Sequence, residues 1–95
     1  MFVHLTIHRP RPDKGDTGAH SMRGFGAKMA GTPGLREVHT LRDTRSTALI
    51  GLAIWESREA YLAFREWLAV QPEDPSEPRD DWEEGPPQVF LLEEA

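Results

Sequence analysis

The stretch Thr47–Trp55, TALIGLAIW, is apolar at almost every position and constrains the fold more than any other feature of the chain. A half-solvated strand alternates apolar with polar, whereas a run apolar on both sides reads as a central strand covered on both faces. The flanking segments supply its neighbours. Phe2–His8 alternates with period two: Val3, Leu5 and Ile7 share one face, and Phe2, His4, Thr6 and His8 the other. Arg9-Pro10-Arg11-Pro12 ends that strand, because proline cannot donate to a ladder and turns its predecessor away from helix. Leu35–Arg42 also alternates, with Leu35, Glu37, His39 and Leu41 against Arg36, Val38, Thr40 and Arg42. Asp43-Thr44-Arg45-Ser46 is a polar turn of hairpin length, and Gln88–Leu92 is a last short strand.

Two segments carry helical spacing instead. Within residues 13–30, Met22, Phe25 and Met29 recur at three- and four-residue intervals, with Ala19 and Gly26 on the same stripe. Asp16 or Thr17 is the expected N-cap, and Gly31-Thr32-Pro33-Gly34 stops the helix. Gly18, Gly24 and Gly26 soften it, each costing about 1 kcal/mol relative to Ala in a helix interior. The second helix is better formed. Ser57 caps it, Glu59 sits in the first turn where the macrodipole favours an acid, and Ala60, Tyr61, Phe64, Trp67 and Leu68 make its apolar stripe. It ends before Pro72.

Charge divides the chain unevenly. Residues 1–70 hold ten Lys/Arg against seven Asp/Glu, whereas residues 71–95 hold one Arg against nine acids. Five of the eight prolines fall within 71–87, which therefore reads as an extended acidic loop rather than packed structure. A net charge of −5 argues against nucleic acid as a main partner. No apolar run approaches the roughly 18 residues of a membrane span, and no signal peptide is expected, because the N-terminus reads directly as a strand. Without cysteine there is no disulfide framework, thiolate catalysis or iron–sulfur cluster. The expectation is a soluble, cytoplasmic chain of one domain, residues 1–95, with the 71–87 loop inside it.

The order β-α-β-β-α-β predicts an α+β ferredoxin-like sandwich: a four-stranded antiparallel sheet with both helices on one face. Helices cover only that face, yet Thr47–Trp55 is apolar on both. The uncovered face calls for a partner, and a second copy on a two-fold axis supplies one, so a homodimer packed sheet to sheet is expected.

Pro33-Gly34-Leu35 at the start of the second strand and Trp55-Glu56-Ser57-Arg58-Glu59-Ala60-Tyr61 between the third strand and the second helix carry a resemblance. So do the Met1-Phe2-Val3 opening and the Arg11-Pro12 turn. The chain resembles the antibiotic-biosynthesis monooxygenase (ABM) domains of the dimeric α/β-barrel superfamily. The resemblance implies a homodimeric α/β barrel and a mostly apolar pocket between helices and sheet. It also implies either cofactor-free oxygenation of an aromatic or polyketide-like small molecule, or a non-catalytic role in binding or dimerisation. Heme-degrading members use an Asn on the first strand and a Trp and a His on the second helix. This chain has no Asn; Thr6, or Ile7 in the alternative register, takes that position, Phe64 takes the Trp position with Trp67 one turn on, and the His position falls in the Pro72–Pro78 loop. The resemblance thus argues against heme, and no cofactor is expected.

Cofactor-free oxygenation needs a base and an apolar pocket in which an electron-rich carbanion meets dioxygen. The candidate bases are His4, His8 and His39, because imidazole titrates near neutral pH. Thr6, Trp55, Tyr61, Phe64 and Trp67 are the candidate substrate-binding residues. Each has a plainer reading: a sheet histidine is commonly structural, and an aromatic stripe at helical spacing is commonly core. A metal site is not expected, since four strand steps separate His4 from His8 by roughly 13 Å. Arg9, Arg11, Arg36, Arg42 and Arg45 read as solvated strand ends pairing with the acidic loop rather than as an anion clamp.

Overall fold

The computed structural model describes residues 1–72 and 81–95. Its elements run β1 (Phe2–His8), α1 (Gly15–Met29), β2 (Leu35–Arg42), β3 (Leu49–Trp55), α2 (Arg58–Ala69) and β4 (Gln88–Glu93). One sheet holds all four strands in the order β2-β3-β1-β4, with every neighbouring pair antiparallel. This is the ferredoxin-like arrangement that the periodicities predict.

Register assigns the faces. Phe2, His4, Thr6 and His8 of β1 lie opposite Trp55, Ala53, Gly51 and Leu49 of β3, on the side that carries the helices. At one end of that side Phe2, Met29, Ala53, Trp55, Tyr61 and Phe64 form a core cluster, with Trp55 wholly buried. At the other end Ala19, Leu49 and Trp82 form a second cluster. The opposite face presents Val3, Leu5, Ile7, Ile50, Leu52 and Ile54 half-buried, and Leu41, Phe90 and Leu92 exposed.

Several expectations are corrected. Helix α1 starts before Asp16 and Thr17: its N-cap is Lys14, which makes no side-chain capping bond. The chain turns early instead, through Asp13 at φ 64° and a Lys14 N–H to Arg11 C=O bond of 3.0 Å. Within α1, Phe25 is 48% exposed although it shares the stripe of buried Met29. In β2 a bulge between Leu35 and Glu37 breaks the alternation, so Leu35 joins Val38 against the helix-side core. β3 begins at Leu49, because Thr47 and Ala48 are consumed by the turn. There the Asp43 carboxylate accepts from the Arg45 N–H (3.1 Å) and the Ser46 hydroxyl (2.7 Å), while Asp43 N–H donates to the Ala48 carbonyl (3.0 Å). These two bonds hold the Asp43 carboxyl below its usual range, the serine hydroxyl contributing most.

Helix α2 follows the expectation: Ser57 Oγ accepts from the Ala60 N–H at 3.2 Å, and Tyr61 and Phe64 are buried. Trp67 is the exception, at 55% exposed. Of the 71–87 loop, residues 73–80 lie outside the described residues. In the part from 81 to 87, Asp81, Glu84, Gly85 and Pro86 are exposed as the composition suggests, but Trp82 is packed and Glu83 half-buried, contrary to it. Trp82 is 6% exposed, and Glu83 bridges to Pro10. The energetic reason is that one buried indole outweighs the solubility of its acidic neighbours.

Candidate functional site

A cavity of about 350 Å3 lies between α1 and the sheet. Side-chain size makes the room. Between the large residues Leu49 and Trp55, the helix-facing positions of β3 are Gly51 and Ala53. The walls are mainly apolar, from Met22, Phe25 and Met29 on α1, Val38 on β2 and Trp82. Polar groups come from β1, whose alternation sets His4, Thr6 and His8 in one row on the cavity side, and from Ser21, His39, Thr40 and Glu83.

The strap at 81–84 closes one end. Arg11 N–H donates to the Trp82 carbonyl at 2.7 Å, and Glu84 N–H to the Arg9 carbonyl at 2.9 Å. The Arg11 guanidinium holds Asp81 at 3.2 Å, a pairing of a strand-end arginine with the acidic loop as expected. The Trp82 ring lies on Gly18, where an added Cβ would sit 2.5 Å from the indole, and beside the His8 ring at 5.5 Å between centroids. This places Glu83 over β1. Its Oε2 is 3.1 Å from His8 Nδ1, while His8 Nε2 is 2.8 Å from Thr6 Oγ1. The Nδ1···Oε2 contact has ion-pair distance without the alignment of a good hydrogen bond, and neither atom has a hydrogen-bond partner. Carboxylate, imidazole and hydroxyl thus stand in one line at the cavity edge.

His4 lies further along the row, its ring 5.2 Å from that of Tyr61. Burial chiefly, then the positive charge of Arg65 and the neighbouring His8, lower its pKa below 6.5 and keep it neutral near neutral pH. His39 also borders the cavity, but its ring pairs with Glu37 at 3.2 Å on the exposed side of β2. His39 thus stands at the solvent side of the rim, apart from the row of His4, Thr6 and His8.

The expected aromatic wall lies apart from this cavity. Trp55, Tyr61 and Phe64 belong to the core cluster beneath α2, and none of them lines the cavity. The reason is that α2 packs over the Phe2–Trp55 end of the sheet while the cavity opens under α1. Trp67 stacks on Phe64 at 6.1 Å, and both border a different hollow, of about 440 Å3, between α2 and the turn after α1. The sequence reading missed Trp82, Glu83 and Gly51. Only Trp82 carried a local signal, as a lone tryptophan in an otherwise solvated acidic stretch.

No protein-family model matches the chain, and no curated protein matches it by sequence. Solved structures do. The heme-degrader MhuD from Mycobacterium tuberculosis, solved with two hemes in its active site, superposes with a TM-score of 0.78 at 16% identity, covering 98% of this chain and 94% of that one. A candidate antibiotic biosynthesis monooxygenase from Nitrosomonas europaea gives 0.70 at 16% identity, covering 99% and 98%. A further antibiotic biosynthesis monooxygenase gives 0.69 at 13% identity, covering 100% and 99%. The chain therefore shares its fold with these proteins over nearly its full length. The same fold serves monooxygenases and a heme degrader, so activity has to be argued from this chain's own cavity.

Heme does not fit the groups at that cavity. His8 has Thr6 against one ring nitrogen and Glu83 against the other, so it does not stand ready to ligate iron. Phe64, at the position the resemblance gives to Trp, is in the core. Among the described residues, no three His, Asp or Glu side chains gather as a metal site, and no helix is long and apolar enough to cross a membrane.

Proposed function

We propose that the chain is a cofactor-independent monooxygenase acting on an aromatic or polyketide-like hydroxyl compound in the cavity under α1, as a soluble cytoplasmic homodimer. One observation carries the reading: the row of His4, Thr6 and His8 in a mainly apolar cavity of about 350 Å3, within the roughly 300–1,000 Å3 span of ligand pockets. A neutral imidazole takes a proton from the substrate, and the low-polarity wall leaves the resulting carbanion poorly solvated and reactive toward dioxygen. The step balances without a cofactor. A CH2 group of the substrate becomes a carbonyl with one oxygen atom, and its two hydrogens leave with the other oxygen as water. The substrate supplies the electrons.

The test is oxygen uptake with anthrone as the probe substrate. Uptake that falls at least tenfold in His8→Gln supports the reading; no uptake above the buffer rate refutes it. Retention of anthrone without uptake would favour the alternative, a non-catalytic small-molecule binder of the same fold. The apolar face of Leu5, Ile7, Leu52 and Ile54 supports the homodimer, because a second copy supplies the same apolar face. Sedimentation equilibrium at micromolar concentration checks it: a dimer that dissociates in Leu52→Glu is expected, and a folded wild-type monomer refutes it.

A further inference from the structure

The line Glu83–His8–Thr6 has a direction, and the direction selects a ligand. His8 Nδ1 and Glu83 Oε2 are both shut off from solvent and have no other partner, at 3.1 Å from each other. A buried acceptor without a donor costs about 1–3 kcal/mol. A hydrogen on Nδ1 faces the carboxylate at ion-pair distance, whereas a hydrogen placed only on Nε2 sets two lone pairs against each other. The neutral ring then carries its lone pair on Nε2, 2.8 Å from Thr6 Oγ1. A hydroxyl has one hydrogen and two acceptor lone pairs. With that hydrogen given to Nε2, Thr6 offers the cavity acceptors only.

Gly51 makes room for this hydroxyl. It faces Thr6 across the β1–β3 pair, and a Cβ there would stand 2.6 Å from Oγ1.

We propose that Glu83 is a positioning residue that sets the tautomer of His8, and that the Thr6 hydroxyl relays the acidic O–H proton of a bound aromatic or enolic ligand to His8 Nε2. This rests on the reading of the cavity as a site for a small hydroxyl-bearing aromatic. The ligand O–H bond breaks as its proton passes to Thr6 Oγ1, while the Thr6 proton passes to Nε2. The products are a ligand oxyanion, an intact Thr6 hydroxyl and an imidazolium beside the Glu83 carboxylate. No electrons change hands. The opposite tautomer would reverse the preference: Nε2–H donating to Thr6 would leave the hydroxyl free to donate, and the cavity would select a carbonyl compound.

Two measurements test this. The first is long-range 1H–15N correlation NMR of the ligand-free protein with 15N-labelled histidine, with His8 assigned by the signal lost in His8→Gln. At a pH where the ring is neutral the Nδ1–H tautomer is expected, shifting toward Nε2–H in Glu83→Leu. Wild type in the Nε2–H form overturns the proposal, and that result needs no variant to fold beyond the assignment. The second uses 4-nitrophenol, whose phenolate absorbs in the visible, at a pH where the free probe is mostly protonated. The phenolate-to-phenol ratio of bound probe is expected to rise about tenfold, equivalent to one pKa unit. Thr6→Ser retains the rise; Thr6→Val and His8→Gln lose it. An unchanged ratio in Thr6→Val overturns the relay. The Nδ1–H tautomer together with no binding of the probe upholds the positioning role of Glu83 and overturns the aromatic-hydroxyl reading of the cavity.

Discussion

Replacing Trp82 by Ala separates a packed strap from a solvated loop. Trp82 is 6% exposed and sits among Ala19, Leu49 and Met22, with its ring on Gly18 and beside His8. A buried tryptophan removes about 150–250 Å2 from water, which at about 25 cal/mol/Å2 is roughly 4–6 kcal/mol. The unfolded chain already hides part of that surface, which brings the figure down to about 3–4 kcal/mol. Large-to-small tryptophan changes in cores cost about 3–5 kcal/mol, in agreement. The void left behind adjoins the existing cavity, so water fills it and no further penalty accrues from an empty hole. Urea unfolding followed by far-UV circular dichroism, at one protein concentration for both variants, reads the loss. Against a total stability of about 5–15 kcal/mol for a domain of this kind, 3 kcal/mol is a large shift in midpoint. Trp82→Phe should lose about half as much. A Trp82→Ala change within about 0.5 kcal/mol of wild type, as for a surface position, would falsify the packed strap and with it the placement of Glu83.

Gly18 and Gly24, both in α1, should respond oppositely to alanine. At Gly18 the new methyl meets the Trp82 ring at 2.5–3.0 Å and should cost about 1–3 kcal/mol, whereas at Gly24 nothing lies within 4 Å and helix propensity should add up to about 1 kcal/mol; thermal unfolding of the two variants checks this. His4 makes stability fall on acidification below about pH 6.5, because the unfolded chain takes up a proton there that the partly buried native ring resists. Urea midpoints compared across that interval should show the slope in wild type and a shallower one in His4→Phe, and equal slopes would remove His4 as the cause. Ser57→Ala deletes the bond from the Ala60 N–H and should lower stability by about 1 kcal/mol in the same urea assay, with an effect near zero meaning that the cap is replaced by water.

Local chemistry determined much of this protein. Alternation in Phe2–His8 set His4, Thr6 and His8 on one face and Val3, Leu5 and Ile7 on the other, since the pleat has period two regardless of context. Ser57 and the stripe through Tyr61 and Phe64 determined α2 in the same way, and the continuous apolarity of Leu49–Trp55 determined its central place in the sheet. The element order, and with it the fold, follows from these. Tertiary structure decided the rest. Which end of the sheet each helix covers depends on packing between distant segments, so the aromatics of α2 became core, Trp67 stayed outside, and the cavity opened over Gly51 and Ala53. The bulge in β2 likewise answers to Trp55 and Ile54 opposite, not to the spacing of its own residues. The pairing of His8 with Glu83 joins positions 75 residues apart in the chain through the backbone bonds of Arg9 and Arg11 to the 82–84 strap. Composition averaged that strap into an acidic loop, because averaging hides one tryptophan among carboxylates, whereas burial acts on the single side chain.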